Sequence, residues 1–330
     1  MGNDNQGAFD ILICHGDMVH EAPAMGEDQA MRKLDPTELY ELDPDRPDLE
    51  GVVLVQALDG FIDAGGARKL ASDHLLATLP HAVLARFDHD QLFDYRARRP
   101  IMVFAKDHWD SYDTPELALH LLEDLQGKHF LLLAGPEPDV QWERFAAAVE
   151  ALCKVLGVRR SIGLNAIPMG LPHTRPVGVI AHGMPTSLVE GHESWIETVH
   201  VPASAGHLLE YRLGEAGYEA MGFAVHVPHY VSQTPYPAAA ARLLHEVAKA
   251  GELDLPVDPL EEAAQQTRIA LDEQVEGAPE VAEVVRQLEA QYDSFVESRG
   301  HAPMDEADLP TADELGAELE RFLAEQQPGD

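Results

Sequence analysis

The feature that most restricts the fold is the spacing of short apolar runs between Val52 and Pro228. They are VVLVQAL (52–58), AVLARF (82–87), IMVFAK (101–106), HFLLLAG (129–135), SIGLNAI (161–167), VGVIAHG (177–183), TVHVPA (198–203) and GFAVHVP (222–228). Most are apolar almost throughout, which is the pattern of strands covered on both faces. Helical stretches with readable start signals lie between them. Thr114-Pro115-Glu116 supplies an N-cap, a first-turn proline and an early acid, so LALHLLEDL (117–125) is expected to be helical. Asp139 is placed to cap VQWERFAAAVEALCKVL, Pro237 opens AAAARLLHEVAKA, and Gly251 can close it. Strands alternating with helices predict the α/β class, as a three-layer α/β/α domain with a mostly parallel sheet.

The runs stop after Pro256. Asp258-Pro259-Leu260-Glu261 has the form of a capping box before a helix of about 16 residues. The stretch PEVAEVVRQLEAQYDSFVESR places Val281, Val284, Val285, Leu288, Tyr292 and Phe295 on one helical face. Thr311-Ala312-Asp313-Glu314 repeats the capping box before a last apolar stripe. The expected organisation is a mobile acidic N-terminal tail (1–22), an α/β/α core (23–255) and an acidic helical C-terminal subdomain (256–330).

Charge separates the ends from the middle. The formal net charge is −35. Residues 1–50 carry 13 acids against 3 bases, and residues 252–330 carry 22 against 4. No Lys/Arg run exists, which excludes nucleic acid as an expected partner, and an anionic membrane surface is disfavoured for the same reason. The acidity itself serves solubility, with a basic protein partner as the alternative reading. Two cysteines, Cys14 and Cys153, form no disulfide framework. No signal peptide and no membrane span are recognisable, so a soluble cytoplasmic protein is expected.

Three segments could carry chemistry. The first is the loop Asp59-Gly60-Phe61-Ile62-Asp63-Ala64-Gly65-Gly66, between a strand and a helix. Free N–H groups at a helix start can bind an anion, so this loop could cradle a phosphate. It has neither Gly-Lys-Ser/Thr nor G-x-G-x-x-G, and Asp59 and Asp63 would repel phosphate. The competing reading is that Asp63 caps the helix and the glycines permit a tight turn. The second segment is FDYRARRP (93–100), where Arg96, Arg98 and Arg99 could reach a carboxylate or phosphate, or pair internally with Asp94 or another nearby acid. The third comprises LPHTRPVGV (171–179) and VPHYVSQTPYP (227–237), which put Pro172-His173 with Arg175, and Pro228-His229 with Tyr230, at strand ends. A histidine there could serve acid–base or anion-binding chemistry, and the prolines could simply fix backbone shape. There is no H-E-x-x-H, no helical ligand pair among the histidines and no G-x-S-x-G elbow, and Cys153 reads as core.

Taken in order, GFIDAGGA, FDYRARRP, GPEPDVQW (135–142), PHTRP (172–176) and VPHYVSQTPYP resemble motifs of the proteasome-assembly-chaperone-2 family in its actinobacterial branch. The resemblance implies a fold similar to the nucleoside phosphorylases. It also implies kinship with archaeal and eukaryotic proteins that assist proteasome assembly. The sequence ends Pro328-Gly329-Asp330, without the hydrophobic-Tyr-any tripeptide of some proteasome-binding relatives, so docking through that tail is not expected. The expected function is a non-enzymatic, homo-oligomeric binding or assembly module with a protein partner. The alternative is a nucleoside- or phosphate-binding phosphorylase- or hydrolase-like enzyme. The candidate ligand-binding residues are Asp59, Gly60, Asp63, Gly65, Gly66, Arg96, Arg99, Glu137, His173, Arg175, His229 and Tyr230. No catalytic residue, metal or cofactor is assigned.

Overall fold

The computed structural model describes residues 34–60, 62–192 and 198–299. The chain divides into two units, Met1–Leu34 and Asp35–Asp330, and only Leu34 of the first is described. The expected N-terminal tail and the Thr311 capping box lie outside the described residues.

The second unit is built on an eight-stranded sheet. Its strands are β1 (Tyr40–Leu42), β2 (Val52–Asp59), β3 (His81–Phe87), β6 (Ala118–Glu123), β7 (His129–Pro136), β8 (Val158–Met169), β9 (Val179–Met184) and β10 (Glu219–Pro228), in the order β1-β3-β6-β7-β2-β8-β10-β9. Strands β4 (Met102–Ala105) and β5 (His108–Tyr112) form a separate hairpin. The helices are α1 (Ala67–Thr78), α2 (His89–Leu92), α3 (Trp142–Val155), α4 (Ala205–Glu215), α5 (Pro237–Gly251), α6 (Asp258–Glu276) and α7 (Pro279–Arg299).

Strand β2 shows why the domain has three layers. Val53, Val55 and Ala57 enter one buried cluster with α1 and α5, while Val52, Leu54 and Leu58 enter a second with α3. Alternation along a strand sends successive side chains to opposite faces, so an unbroken apolar run needs a helical layer on each side. Helix α4 adds Leu209 and Leu213 to the second layer.

The sheet is mixed rather than mostly parallel. Only β7–β2, β2–β8 and β8–β10 pair in parallel, and β1–β3, β3–β6, β6–β7 and β9–β10 are antiparallel. Two of these antiparallel pairings come from Ala118–Glu123, which form strand β6 within the run 117–125 expected to be helical. Leu119 pairs with Leu133 of β7 and, on the other edge, with Ala85 of β3. A short apolar run satisfies either geometry, and pairing on both edges decides it. Residues 198–203 form no strand, and Val199 and Val201 are exposed. The run 101–106 does form a strand, but in the hairpin, outside the main sheet.

Two expected caps are replaced. Asp139 accepts the N–H of Asp94 and pairs with Arg98 at 2.9 Å, while Gln141, in the left-handed region, precedes α3. Glu261 does not close a box on α6, because its carboxylate bonds His245 Nε2 of α5 at 2.7 Å. On α7 only Val285 of the apolar face is fully buried, and Val281 and Val284 are exposed.

Candidate functional site

The parallel strands β2, β7 and β8 end at one edge of the sheet, and two helices from opposite layers begin there. In open α/β sheets this is where ligands bind. Helix α1 follows β2 through a tight turn at Ala64–Gly66, and its start is closed by Asp63. The Asp63 carboxylate accepts the N–H groups of Arg68 (2.8 Å) and Lys69 (3.1 Å). Helix α4 is closed in the same manner: Glu137, just beyond β7, accepts the N–H of Ala205 at 2.9 Å, and Ser204 accepts that of His207. Each helix start is therefore met by a carboxylate of the chain itself, which satisfies the amides and the positive end of the helix dipole. The amides that a phosphate would need at the glycine loop are taken.

Gly60, Gly65 and Gly66 have different reasons to be glycine. A Cβ on Gly60 would stand 2.8 Å from the Glu137 carboxyl carbon, so this position lets the buried carboxylate approach the backbone. Gly65 has φ 65°, and its Cβ would lie 2.6 Å from that of Tyr236. Its N–H donates to Ser232 O and its carbonyl accepts from Tyr236 N–H. The turn is thus stitched to the segment after β10 rather than open. Gly66 has φ 57° and open space around it, so only its conformation calls for glycine.

Residues that the sequence reading missed complete this edge. Arg68 is buried, with its nearest carboxylate oxygen, on Asp63, at 3.9 Å. Asn165 of β8 contacts His207 of α4, Nδ2 to Nε2, at 3.1 Å. Glu210 of α4 bonds His182 of β9 at 2.7 Å, and both side chains pack over Gly222 of β10. Burial raises the Asp59 carboxyl above its ordinary range. Burial and the nearby His182 lower the His207 imidazole. His182 goes the other way: burial alone would lower it, but its hydrogen bond to Glu210 and that carboxylate's charge carry it above its usual value.

The other candidates lie elsewhere. His173 is buried beneath the C-terminal helices. Its N–H donates to the Tyr230 hydroxyl and its Nδ1 contacts the same oxygen, both at 2.7 Å, and its Nε2 reaches Asp272 of α6 at 3.1 Å. Thr174 donates to Glu289, and Arg175 grips Asp293 with two hydrogen bonds of 2.8 and 2.6 Å, both acids on α7. The PHTRP segment therefore ties α6 and α7 to the core. Burial pushes the Tyr230 hydroxyl up to about 12 and lowers His229. A groove of about 330 Å³ between α5 and α6 is bordered by His173, Arg175, Tyr236, Arg242 and Arg268, and does not include Gly65. Its arginines are paired within the chain, Arg242 with Glu246 and Arg268 with Asp272.

Arg96 and Arg99 are exposed in the segment leading to the β4–β5 hairpin, and Arg98 alone pairs, with Asp139 rather than Asp94. The hairpin turns at Lys106-Asp107, with Lys106 at φ 59°, and matches Phe104 with Trp109. Ile101, Met102, Val103, Phe104, Trp109 and Tyr112 are all exposed, Ile101 by 69% and Trp109 by 63%. Among the described residues no group of three His, Cys, Asp or Glu could hold a metal ion, and no helix is long and apolar enough to cross a membrane.

Comparison with known proteins agrees with this architecture. The PAC2 family model matches residues 57–275, and the chain belongs to that family. A Mycobacterium tuberculosis protein of unknown function shares 50% identity, with 79% of this chain and 91% of that one covered and a TM-score of 0.76. A Corynebacterium glutamicum protein of unknown function shares 42%, over 78% and 98% of the two chains, with a TM-score of 0.75. A proteasome-assembly chaperone homologue of M. tuberculosis shares 26%, over 71% and 100%, with a TM-score of 0.66. No curated protein matches the chain.

Proposed function

We propose that this chain is a non-enzymatic assembly module that works as a homo-oligomer and engages a protein partner. Its place in the PAC2 family, beside a proteasome-assembly chaperone homologue, supports an assembly role. The observation that carries the reading is the β4–β5 hairpin. A two-stranded hairpin is marginal by itself in water. This one exposes six large apolar side chains from Ile101 to Tyr112. Large apolar side chains exposed in such number on one short element, with Phe104 and Trp109 in ring contact, suit a protein–protein contact. Packing against a second copy covers it, and the exposed Arg96 and Arg99 at its root would face a chain whose net charge is −35.

A photo-crosslinking residue at Trp109 tests the reading. Peptides from a second copy of the chain are the expected products. Products confined to the same chain across the usable concentration range would refute it.

A further inference from the structure

We propose that the exposed face of the β4–β5 hairpin is covered by the C-terminal segment 311–325 of a second copy, docked as an amphipathic helix. This rests on the reading that the hairpin joins copies, and names the element that it joins. Strand register fixes the face. Met102 pairs with Tyr112 and Phe104 with Trp109, and the Phe104 and Trp109 rings are in contact, with centroids 5.1 Å apart. Cross-strand partners share a face, and so do residues two apart on one strand, so these four side chains stand together. They are 46 to 63% exposed. A two-stranded hairpin becomes stable when a helix packs on such a face or further strands extend it.

A matching element lies in the same chain. The described residues end at Arg299, and 31 residues follow. After the Thr311-Ala312-Asp313-Glu314 capping box, Leu315, Leu319, Phe322 and Leu323 recur at i, i+4, i+7 and i+8, on one side of a helix. From Leu315 to Leu323 such a helix rises about 12 Å, and a four-residue strand such as β4 spans about 13 Å. A helix this short is marginal alone in water and becomes stable by laying its apolar stripe on a partner. The linking residues 300–310 can extend to about 36 Å, enough to carry the segment from its own α7 to a neighbour.

Charge favours this surface over the rest of the molecule. Residues 300–330 carry nine acids, and Arg321 is their only base. Most of the chain repels such a segment. Of its 23 bases and 58 acids, however, four of each lie in residues 94–113, so the hairpin and its root are neutral in a molecule of net charge −35. Arg96, Arg99 and Lys106 are exposed there and pair with no acid among the described residues. The acids Asp107 and Asp110 flank His108 at the turn. Three free cations beside an apolar face suit an acidic amphipathic segment: the apolar side chains supply affinity, and the charges set orientation and exclude other partners.

The test mixes isotopically light and heavy copies of the full chain, each with a photo-crosslinking residue at Trp109, so that links between copies differ in mass from links within one. The expected product joins position 109 of one copy to residues 311–325 of the other. The double variant Leu319→Asp, Phe322→Asp alters no described residue, and should raise the dissociation constant of the assembly about a hundredfold or more in sedimentation velocity. Links between copies that avoid 311–325, whether hairpin to hairpin or to the apolar run at 9–14, overturn this inference and leave the assembly reading standing. A double variant that associates as the wild type does has the same consequence. Links to 311–325 of the same copy overturn the exchange between copies. A wild type that gives no links between copies and sediments as a monomer overturns the assembly reading and this inference with it.

Discussion

Gly65 and Gly66 share a left-handed backbone, at φ 65° and 57°, but not an environment. Replacing either with alanine costs about 1–2 kcal/mol for placing a Cβ in that region. For Gly66→Ala that is the whole effect, because nothing lies within 4 Å of the new atom. For Gly65→Ala the new Cβ meets the Tyr236 Cβ at 2.6 Å and Val227 Cγ1 at 3.3 Å. Tyr236 is buried and its backbone is bonded to Gly65, so it cannot step aside freely. Overpacking of this kind adds about 1–3 kcal/mol. Because the substitution is the same at neighbouring positions, the unfolded-state contribution largely cancels in the difference. Urea unfolding at one protein concentration measures it. With m near ~3 kcal/mol/M, Gly65→Ala should unfold at a midpoint about 0.3–1 M below that of Gly66→Ala. Equal midpoints, or a larger loss for Gly66→Ala, would refute the account of this turn as a packed joint with the segment after β10.

Other outcomes follow from the same contacts. His173→Ala removes a buried ring and the partner of the Tyr230 hydroxyl, so it should cost about 3 kcal/mol, with hydrogen exchange rising in α6 and α7 before β2 and β7. Asp124→Ala loses a carboxylate that accepts three backbone N–H groups, of Gln126, Lys128 and Asp254, and should lower stability by about 3 kcal/mol in denaturant titration. The His182 pKa is raised in the folded state, so the His182–Glu210 pair stabilises fully below about pH 6.5 and loses this as pH rises through the folded value. The stability gap between wild type and His182→Gln should therefore shrink from pH 6 to pH 8. A gap that is constant or grows would contradict it.

How much of this was legible in the sequence differs from element to element. Strands β2, β7, β8 and β10 declare themselves as unbroken apolar runs, and α5 by its proline and periodicity. Strand β6 does not, since Thr114-Pro115-Glu116 imitates a helix start and only pairing with β3 and β7 settles the matter. Two of the sheet's four antiparallel pairings follow from that one element. Asp63 and Glu137 stood out as candidates, and both act at helix starts. His173, Arg175 and Tyr230 stood out too, but their role did not, because Asp272, Glu289 and Asp293 lie about a hundred residues further along. Arg68, Asn165 and His207 sit in an ordinary helix and strand. One signal was available for Arg68: a basic residue in the first turn of a helix opposes the dipole and needs a reason.

The central claim is that the exposed hairpin joins copies of the chain. Sedimentation velocity over a concentration series tests it directly, comparing wild type with the double variant Phe104→Ser, Trp109→Ser. Both side chains are more than half exposed, so the variant should keep its circular dichroism spectrum and its cooperative unfolding. The account predicts an oligomer for the wild type and a folded monomer for the variant. A monomeric wild type, or a variant that assembles as the wild type does, would contradict it.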